Sequence, residues 1–397
     1  MSDCTTTIRQ YKYRLYPSPS QEERLAQTLE VARQFYNMCV GERKWSWRIE
    51  QRGVRKYDQL RHVKHYKATF PQASDVHSHV LQVVATDVDK AYAAFFRRLK
   101  AGEKPGYPRF KGRNRFNSFG YKELGNGFRL DGRRLKLSGI GRVRVRWHRP
   151  LEGAIKTVRI LRKADRWYAC FACEVEKPDP LPAAGRAVGI DVGISALLTT
   201  SDGEKVAHPG YYRAGQQKLR VLQRKLARAQ RGSQNRRKAL RAVQRQQEHV
   251  ANQRRDYLHK LSADLVRSFD RIALEDLRVR NMVRNHHLSK SILDSGWATF
   301  RQYLTYKAES AGREVAFVDP AYTSKCCSAC GAVFQDFDLS TRWVTCDCGL
   351  SLDRDHNAAL NILRRAGWDT PVPENVAPLF AASRGEQGQA SVRSPRL

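Results

Sequence analysis

The chain has 397 residues, with 72 Lys and Arg against 39 Asp and Glu, a formal net charge of +33. That length allows two or three domains with proper cores, and 41% hydrophobic with 10% aromatic residues excludes a disordered basic tail protein. No apolar run long enough to cross a membrane occurs and the start lacks the apolar stretch of a signal peptide, so the expected setting is the cytoplasm, and a charge so large points to nucleic acid as partner.

Residues 8–16 alternate polar and apolar, which predicts a strand with one basic face, ended by Pro17 and Pro19. Ser20 with Glu23 reads as a capping box opening a helix with Leu25, Leu29, Ala32, Phe35 and Tyr36 on its apolar face, and helical patterns continue to about Lys100. Over residues 95–122, Phe95, Phe96, Tyr107, Phe110, Phe116, Phe119 and Tyr121 interleave with nine Lys or Arg. Such a stretch can neutralise phosphates while stacking on bases, although core packing of half the aromatics is the alternative. Residues 133–148 and 155–176 alternate again, with a turn at Ala164–Asp165, and read as a short β-barrel that the N-terminal strand could join. Cys170 and Cys173 fall on opposite faces of that strand and read as core rather than as a metal pair.

After Pro178, Pro180 and Pro182, residues 188–194 form a buried strand carrying one acid, Asp191. Residues 214–260 read as two helices about a turn at Arg231–Arg237, with fifteen Lys or Arg against Glu248 and Asp256 from Arg213 to Lys260, an imbalance suited to phosphate contacts. From about Ala366 the chain is rich in Pro, Ala, Ser, Gly and Gln and reads as a disordered tail.

Three apolar segments each carry acid: Asp191 within Val-Gly-Ile-Asp-Val-Gly-Ile, Glu275 at the end of Arg-Ile-Ala-Leu-Glu, and Asp353 and Asp355 before a helix containing Ala358 and Ala359. A carboxylate in an apolar strand is costly unless paired or metal-bound. Phosphodiester cleavage by two Mg²⁺ ions supplies a reason for three of them. Asp276 would face the other side of a strand from Glu275, so Glu275 is the choice; Asp355 is preferred to Asp353, which can cap or orient. Gly189 and Gly193 would permit a tight hairpin and close approach of a phosphate backbone. Cys327-Ser-Ala-Cys330-Gly followed by Cys346-Asp-Cys348-Gly describes a four-cysteine structural zinc ribbon, with Cys326 as a spare thiol.

These motifs resemble TnpB, the insertion-sequence family of RNA-guided DNA endonucleases related to the type V CRISPR nucleases. The likeness spans about residues 8–365 and rests on Tyr-Lys-Tyr-Arg-Leu-Tyr-Pro (11–17), residues 95–111, Gly-Ile-Asp-Val-Gly (189–193) and Leu-Glu-Asp-Leu (274–277). It rests also on Ser-Gly-Trp (295–297), Tyr-Thr-Ser…Cys-Ser-Ala-Cys-Gly (322–331) and Asp-Arg-Asp-His-Asn-Ala-Ala-Leu-Asn-Ile (353–362); the Cys-x-Cys second knuckle departs from the pattern. The resemblance implies a mixed α/β and β multidomain fold. Residues 1–19 and 120–180 would be a wedge-like β-barrel with a helical recognition insert at 20–119. Residues 185–321 and 350–365 would be a RuvC-like nuclease with an RNase H-type sheet, 322–349 the ribbon and 366–397 the tail. It further implies that Asp191, Glu275 and Asp355 hold the catalytic metals and that a structured guide RNA reads a double-stranded DNA target beside a short protein-read motif. An RNA-independent recombinase of the RNase H class and a non-catalytic nucleic-acid-binding regulator are the alternatives.

Overall fold

The computed structural model describes residues 6–335, 337–338 and 341–368. The chain divides into two compact units, Met1–Lys177 and Pro178–Leu397.

In the first unit, β1 (Thr6–Tyr16) buries Tyr11, Tyr13 and Leu15, as its alternation requires. Helix α1 (Pro19–Glu50) starts two residues before the expected box. Ser18 Oγ accepts from Gln21 N and Gln21 Oε1 accepts from Ser18 N, because Pro19, with φ preset and no N–H to satisfy, takes the first helical position. Helices α2 (Lys56–Thr69), α3 (Pro71–Ser74) and α4 (Ser78–Lys100) follow. The buried Arg43 of α1 ties three helices together, donating to Gln59 of α2 (3.0 Å) and Asp89 of α4 (2.9 Å).

Strands β2 (Ser118–Tyr121), β3 (Glu123–Leu124), β4 (Gly127–Asp131), β5 (Arg134–Leu137), β6 (Gly141–Arg146), β7 (Ala154–Lys163) and β8 (Arg166–Glu176) complete an eight-stranded sheet. Its order, β2-β7-β8-β1-β6-β5-β4-β3, places β1 between β8 and β6. The β7–β8 turn falls at Ala164–Asp165, with Ala164 in the left-handed region at φ 54°. Cys173 is core, whereas Cys170 lies half-buried on the other face of β8.

The second unit begins with β9 (Ala187–Asp191), β10 (Ala196–Thr200) and β11 (Lys205–Ala207), then the hairpin of α5 (Tyr211–Arg228) and α6 (Gln234–Ser268). Helix α6 starts inside the stretch expected to be turn, capped by Ser233. Strand β12 (Arg271–Glu275), helices α7 (Val279–Met282), α8 (Ser289–Ser295) and α9 (Trp297–Ala311), β13 (Glu314–Val318), the ribbon strands β14 (Trp343–Thr345) and β15 (Ser351–Asp353), and α10 (Arg354–Arg365) follow. Gly296, at φ 69°, both ends α8 and starts α9, which explains the Ser-Gly-Trp motif structurally.

The sheet order is β11-β10-β9-β12-β13, with β12 and β13 parallel to β9 and the β9–β10–β11 meander antiparallel. Val188, Ile190, Ile272 and Leu274 face one side, against Leu258, Leu261 and Leu265 of α6 and Phe300 and Leu304 of α9. Ala187, Ala273 and Val318 face the other, against Ile362 and Leu363 of α10. Trp368 is buried in this second cluster, so Ala366–Trp368 belongs to the folded unit; the remainder of the expected tail lies outside the described residues. No helix among the described residues is long and apolar enough to cross a membrane.

Candidate active site and metal sites

Asp191 and Glu275 end two adjacent parallel strands whose register pairs Ile190 with Leu274, the residues just before them. Side chains alternate, so Asp191 follows Ala187 and Gly189, and Glu275 follows Ala273, onto the face covered by α10. Helix α10 brings Asp355 into its first turn, where an anion suits the helix dipole. All three expected carboxylates therefore converge at one end of the sheet. Burial, then the nearby charges of Glu275 and Asp355, push the Asp191 carboxyl well above the usual range. Burial also raises Glu275, against the Thr323 hydroxyl that donates to it and the charge of Arg365.

The two other acids have partners of their own. Asp276 pairs with Arg301 of α9, on the opposite side of the sheet, as its position after Glu275 predicts. Asp353 caps α10, accepting from the backbone N–H of Asp355 (3.0 Å) and His356 (3.2 Å), and pairs with Lys205 at 2.6 Å. Gly189 serves packing rather than phosphate approach. A Cβ there would lie 2.0 Å from the Ala359 carbonyl oxygen and 2.7 Å from Leu363 N, so α10 rests directly on β9. At Gly193 a Cβ would lie 2.9 Å from the Ala196 carbonyl, as a tight β9–β10 hairpin demands.

Sequence reasoning missed a set of supporting residues. Buried Asn357 and Asn361 of α10 donate to the Cys326 carbonyl at 2.8 and 2.7 Å, and Asn361 also to Thr323 O at 2.9 Å. Ser328 N donates to Asn357 Oδ1 at 2.8 Å, and Arg365 Nη1 donates to the carbonyls of Asp319 and Ala321. Positions 357, 361 and 365 recur every four residues, hence on one helical face. That four-residue spacing of polar residues was the available signal.

Cys327, Cys330, Cys346 and Cys348 place their Sγ atoms within 4.8 Å of one another, with Cys327–Cys348 at 3.6 Å and Cys330–Cys346 at 3.5 Å. Sulfurs about 2.3 Å from a tetrahedral zinc stand about 3.8 Å apart, so this cage fits that ion. Burial pushes the Cys327 thiol up, but the backbone N–H groups of Cys330 and Ala329 bring it down to about 7, favouring the thiolate a metal needs. Cys326 stays outside the cage and contributes its carbonyl to the asparagines.

The aromatic stretch divides. Phe116, Phe119 and Tyr121 are core, while Phe96, Tyr107 and Phe110 are exposed, with Lys44 of α1 4.6 Å over the Phe110 ring. Several arginines of the basic hairpin have internal partners, among them Arg236, which donates to the Leu226 and Ala229 carbonyls at the end of α5, and Arg254, which pairs with the buried Asp294.

The family described as "Probable transposase" matches residues 170–286, a "Cas12f1-like, TNB domain" matches 297–362 and a "Helix-turn-helix domain" matches 5–52. A Streptomyces pristinaespiralis protein named "Putative RNA-guided DNA endonuclease" is 36% identical over 392 residues, covering 97% of this chain and 95% of that one. InsQ of Escherichia coli (strain K12), with the same description, is 31% identical over 377 residues, 90% and 92% of the two chains. Among solved structures, the Cas12f1 chain of a Cas12f1–sgRNA–target DNA complex superposes with a TM-score of 0.59 at 14% identity, covering 90% of this chain and 99% of that one, a likeness of fold. With two relatives above 30% identity along nearly its whole length, the chain belongs to the TnpB family.

Proposed function

We propose that this protein is an RNA-guided, Mg²⁺-dependent DNA endonuclease that cleaves DNA next to a short protein-read motif. The observation that carries the reading is the convergence of Asp191, Glu275 and Asp355 at one sheet end, with Asp191 raised by burial and then by its two neighbours. An all-oxygen, strongly acidic donor set suits hard divalent cations. Bound there, two such ions would activate the attacking water and stabilise the leaving 3′ oxygen. The protein's own part is rigidity: β9 and β12 fix Asp191 and Glu275 through the sheet, and the Asp353 cap fixes the start of the helix that carries Asp355.

The sheet order supports an RNase H-type, RuvC-like core, and the eight-stranded sheet supports the wedge-like barrel with its helical insert. The cysteine cage supports a structural zinc ribbon. Exposed Phe96, Tyr107 and Phe110 and the outer face of the α5–α6 hairpin would contact guide RNA and the guide–target duplex, with the relatives' names and the +33 charge in support. On this reading the protein works in the cytoplasm at the nucleoid.

The test is Asp191→Ala in protein purified with the RNA of its own locus. Cleavage of matched DNA in Mg²⁺ should disappear while RNA affinity persists. Cutting by the variant would refute the metal-site assignment. Cutting by RNA-free wild type would favour a recombinase, and tight binding without any nicking a regulator.

A further inference from the structure

Between the end of β13 and the first cysteine knuckle, residues 319–328 form a strap with the carboxylate centre on one side and the thiol cage on the other. Thr323, 2% exposed, is its turning point. Two acceptors lie within reach of its hydroxyl, Glu275 Oε1 and the Pro320 carbonyl at 3.1 Å; the charged one makes the stronger bond. The strap is clasped from behind by α10. Asn361 takes the carbonyls of Thr323 and Cys326, Asn357 takes Cys326 O and Ser328 N, and Arg365 takes Asp319 O and Ala321 O. Cys327 and Cys330 flank Ser328, so the clasp ends within the metal cage itself, and the helix making it also carries Asp355.

We propose that Thr323 is the positioning residue of Glu275, and that filling the four-cysteine site tightens divalent-cation binding at the carboxylates through Thr323 and the Asn357–Asn361 clasp. The inference rests on the reading of Asp191, Glu275 and Asp355 as a cation site. An empty cage frees the Cys327–Cys330 knuckle, loosens the Ser328 and Cys326 ends of the clasp and lets Thr323 drift from Glu275. Support of this kind for a metal ligand is commonly worth 10- to 100-fold in metal affinity. Coupling of two sites is reciprocal, so cation at the carboxylates must also tighten the equilibrium binding of zinc by the same factor.

The experiment uses the full chain. Mn²⁺ binding is titrated by electron paramagnetic resonance, subtracting Asp191→Ala, and the Mn²⁺ midpoint for cleavage is measured on the RNA-loaded protein. Thr323→Val should weaken both midpoints about tenfold, with the cleavage rate recovering at saturating Mn²⁺, and Thr323→Ser should restore them to within about twofold. Loss of rate that excess Mn²⁺ does not recover would mean general damage and overturn the positioning role. Cys330→Ser, with its zinc content measured, should weaken Mn²⁺ binding similarly; zinc loss with an unchanged midpoint overturns the coupling. An unchanged midpoint in Thr323→Val overturns the whole proposal while the cation site stands. If wild type shows no Asp191-dependent Mn²⁺ binding, the cation-site reading falls first and this inference with it.

Discussion

Gly189→Ala links packing to the site most directly. The new methyl would sit 2.0 Å from the Ala359 carbonyl oxygen, 2.7 Å from Leu363 N and 2.9 Å from Leu363 Cβ. The first two obstacles are backbone atoms of α10, so no rotamer change relieves them. The helix must retreat from β9 by about 1 Å, a gap that forfeits a quarter to a half of each dispersion contact across it. Overpacking of this kind costs about 3 kcal/mol, which for a unit of this size lowers Tm by about 6–12 °C. The same retreat moves Asp355 away from Asp191 and Glu275, and a misplacement of about 1 Å costs about 100-fold in rate. Thermal unfolding and single-turnover cleavage on RNA-loaded protein read the two effects, with Gly53→Ala, where nothing lies within 4 Å, as the neutral control. A Gly189→Ala protein that melts and cuts like wild type would refute the claim that this contact sets the carboxylate geometry.

Asp191→Asn should abolish cleavage yet stabilise the metal-free protein. Burial and two neighbouring acids raise the Asp191 pKa, so the folded state holds the proton more tightly than the unfolded one. The penalty is therefore absent below the unfolded value near 4 and grows as pH climbs through the folded value. In EDTA the variant should match wild type in acid and exceed it by about 1–2 kcal/mol in neutral to alkaline solution; equal stability at pH 8 would show that Asp191 carries no such burden. Among the aromatics, Phe119→Ala should cost about 3–5 kcal/mol of stability, because that ring is buried. Phe110→Ala should leave stability near wild type and weaken RNA or guide–target binding by about 1–3 kcal/mol, and filter binding with unchanged affinity would remove Phe110 from the interface.

The strand patterns were legible because each has one buried face. Alternation alone predicts β1, β7 and β8, and it correctly separates Glu275 from Asp276, which faces Arg301. Periodicity cannot say what covers a face, so in the sequence Gly189 looks like room for phosphate, whereas α10 lies there. Two capping boxes overlap at Ser18–Gln21 and Ser20–Glu23, and Pro19 decides between them through its missing N–H. Composition cannot separate Phe110 from Phe119; the short strand β2, which turns Phe119 and Tyr121 to the core, does. Thr323 was invisible because its partner lies 48 residues away in sequence, and hydrogen bonds between distant segments leave no local pattern.

The density of chemistry in residues 353–365 has a physical reason. Three acids in one buried corner repel one another, and nothing in their mutual electrostatics holds them together without cation. The restraint must come from the groups around them: Arg354 pairs with Asp355 at 3.1 Å, and α10 supplies most of the other contacts. Asp353 caps it, His356 reaches the Ser201 carbonyl at 2.9 Å, Ala358 and Ala359 keep the surface against β9 small, and Ile362 and Leu363 fill the core. Asn357, Asn361 and Arg365 take the remaining face and grip the strap. A helix held by so many contacts cannot rotate to part Asp355 from Asp191. Its rigidity, together with the Arg354–Asp355 pair, is what keeps the centre assembled before cation arrives.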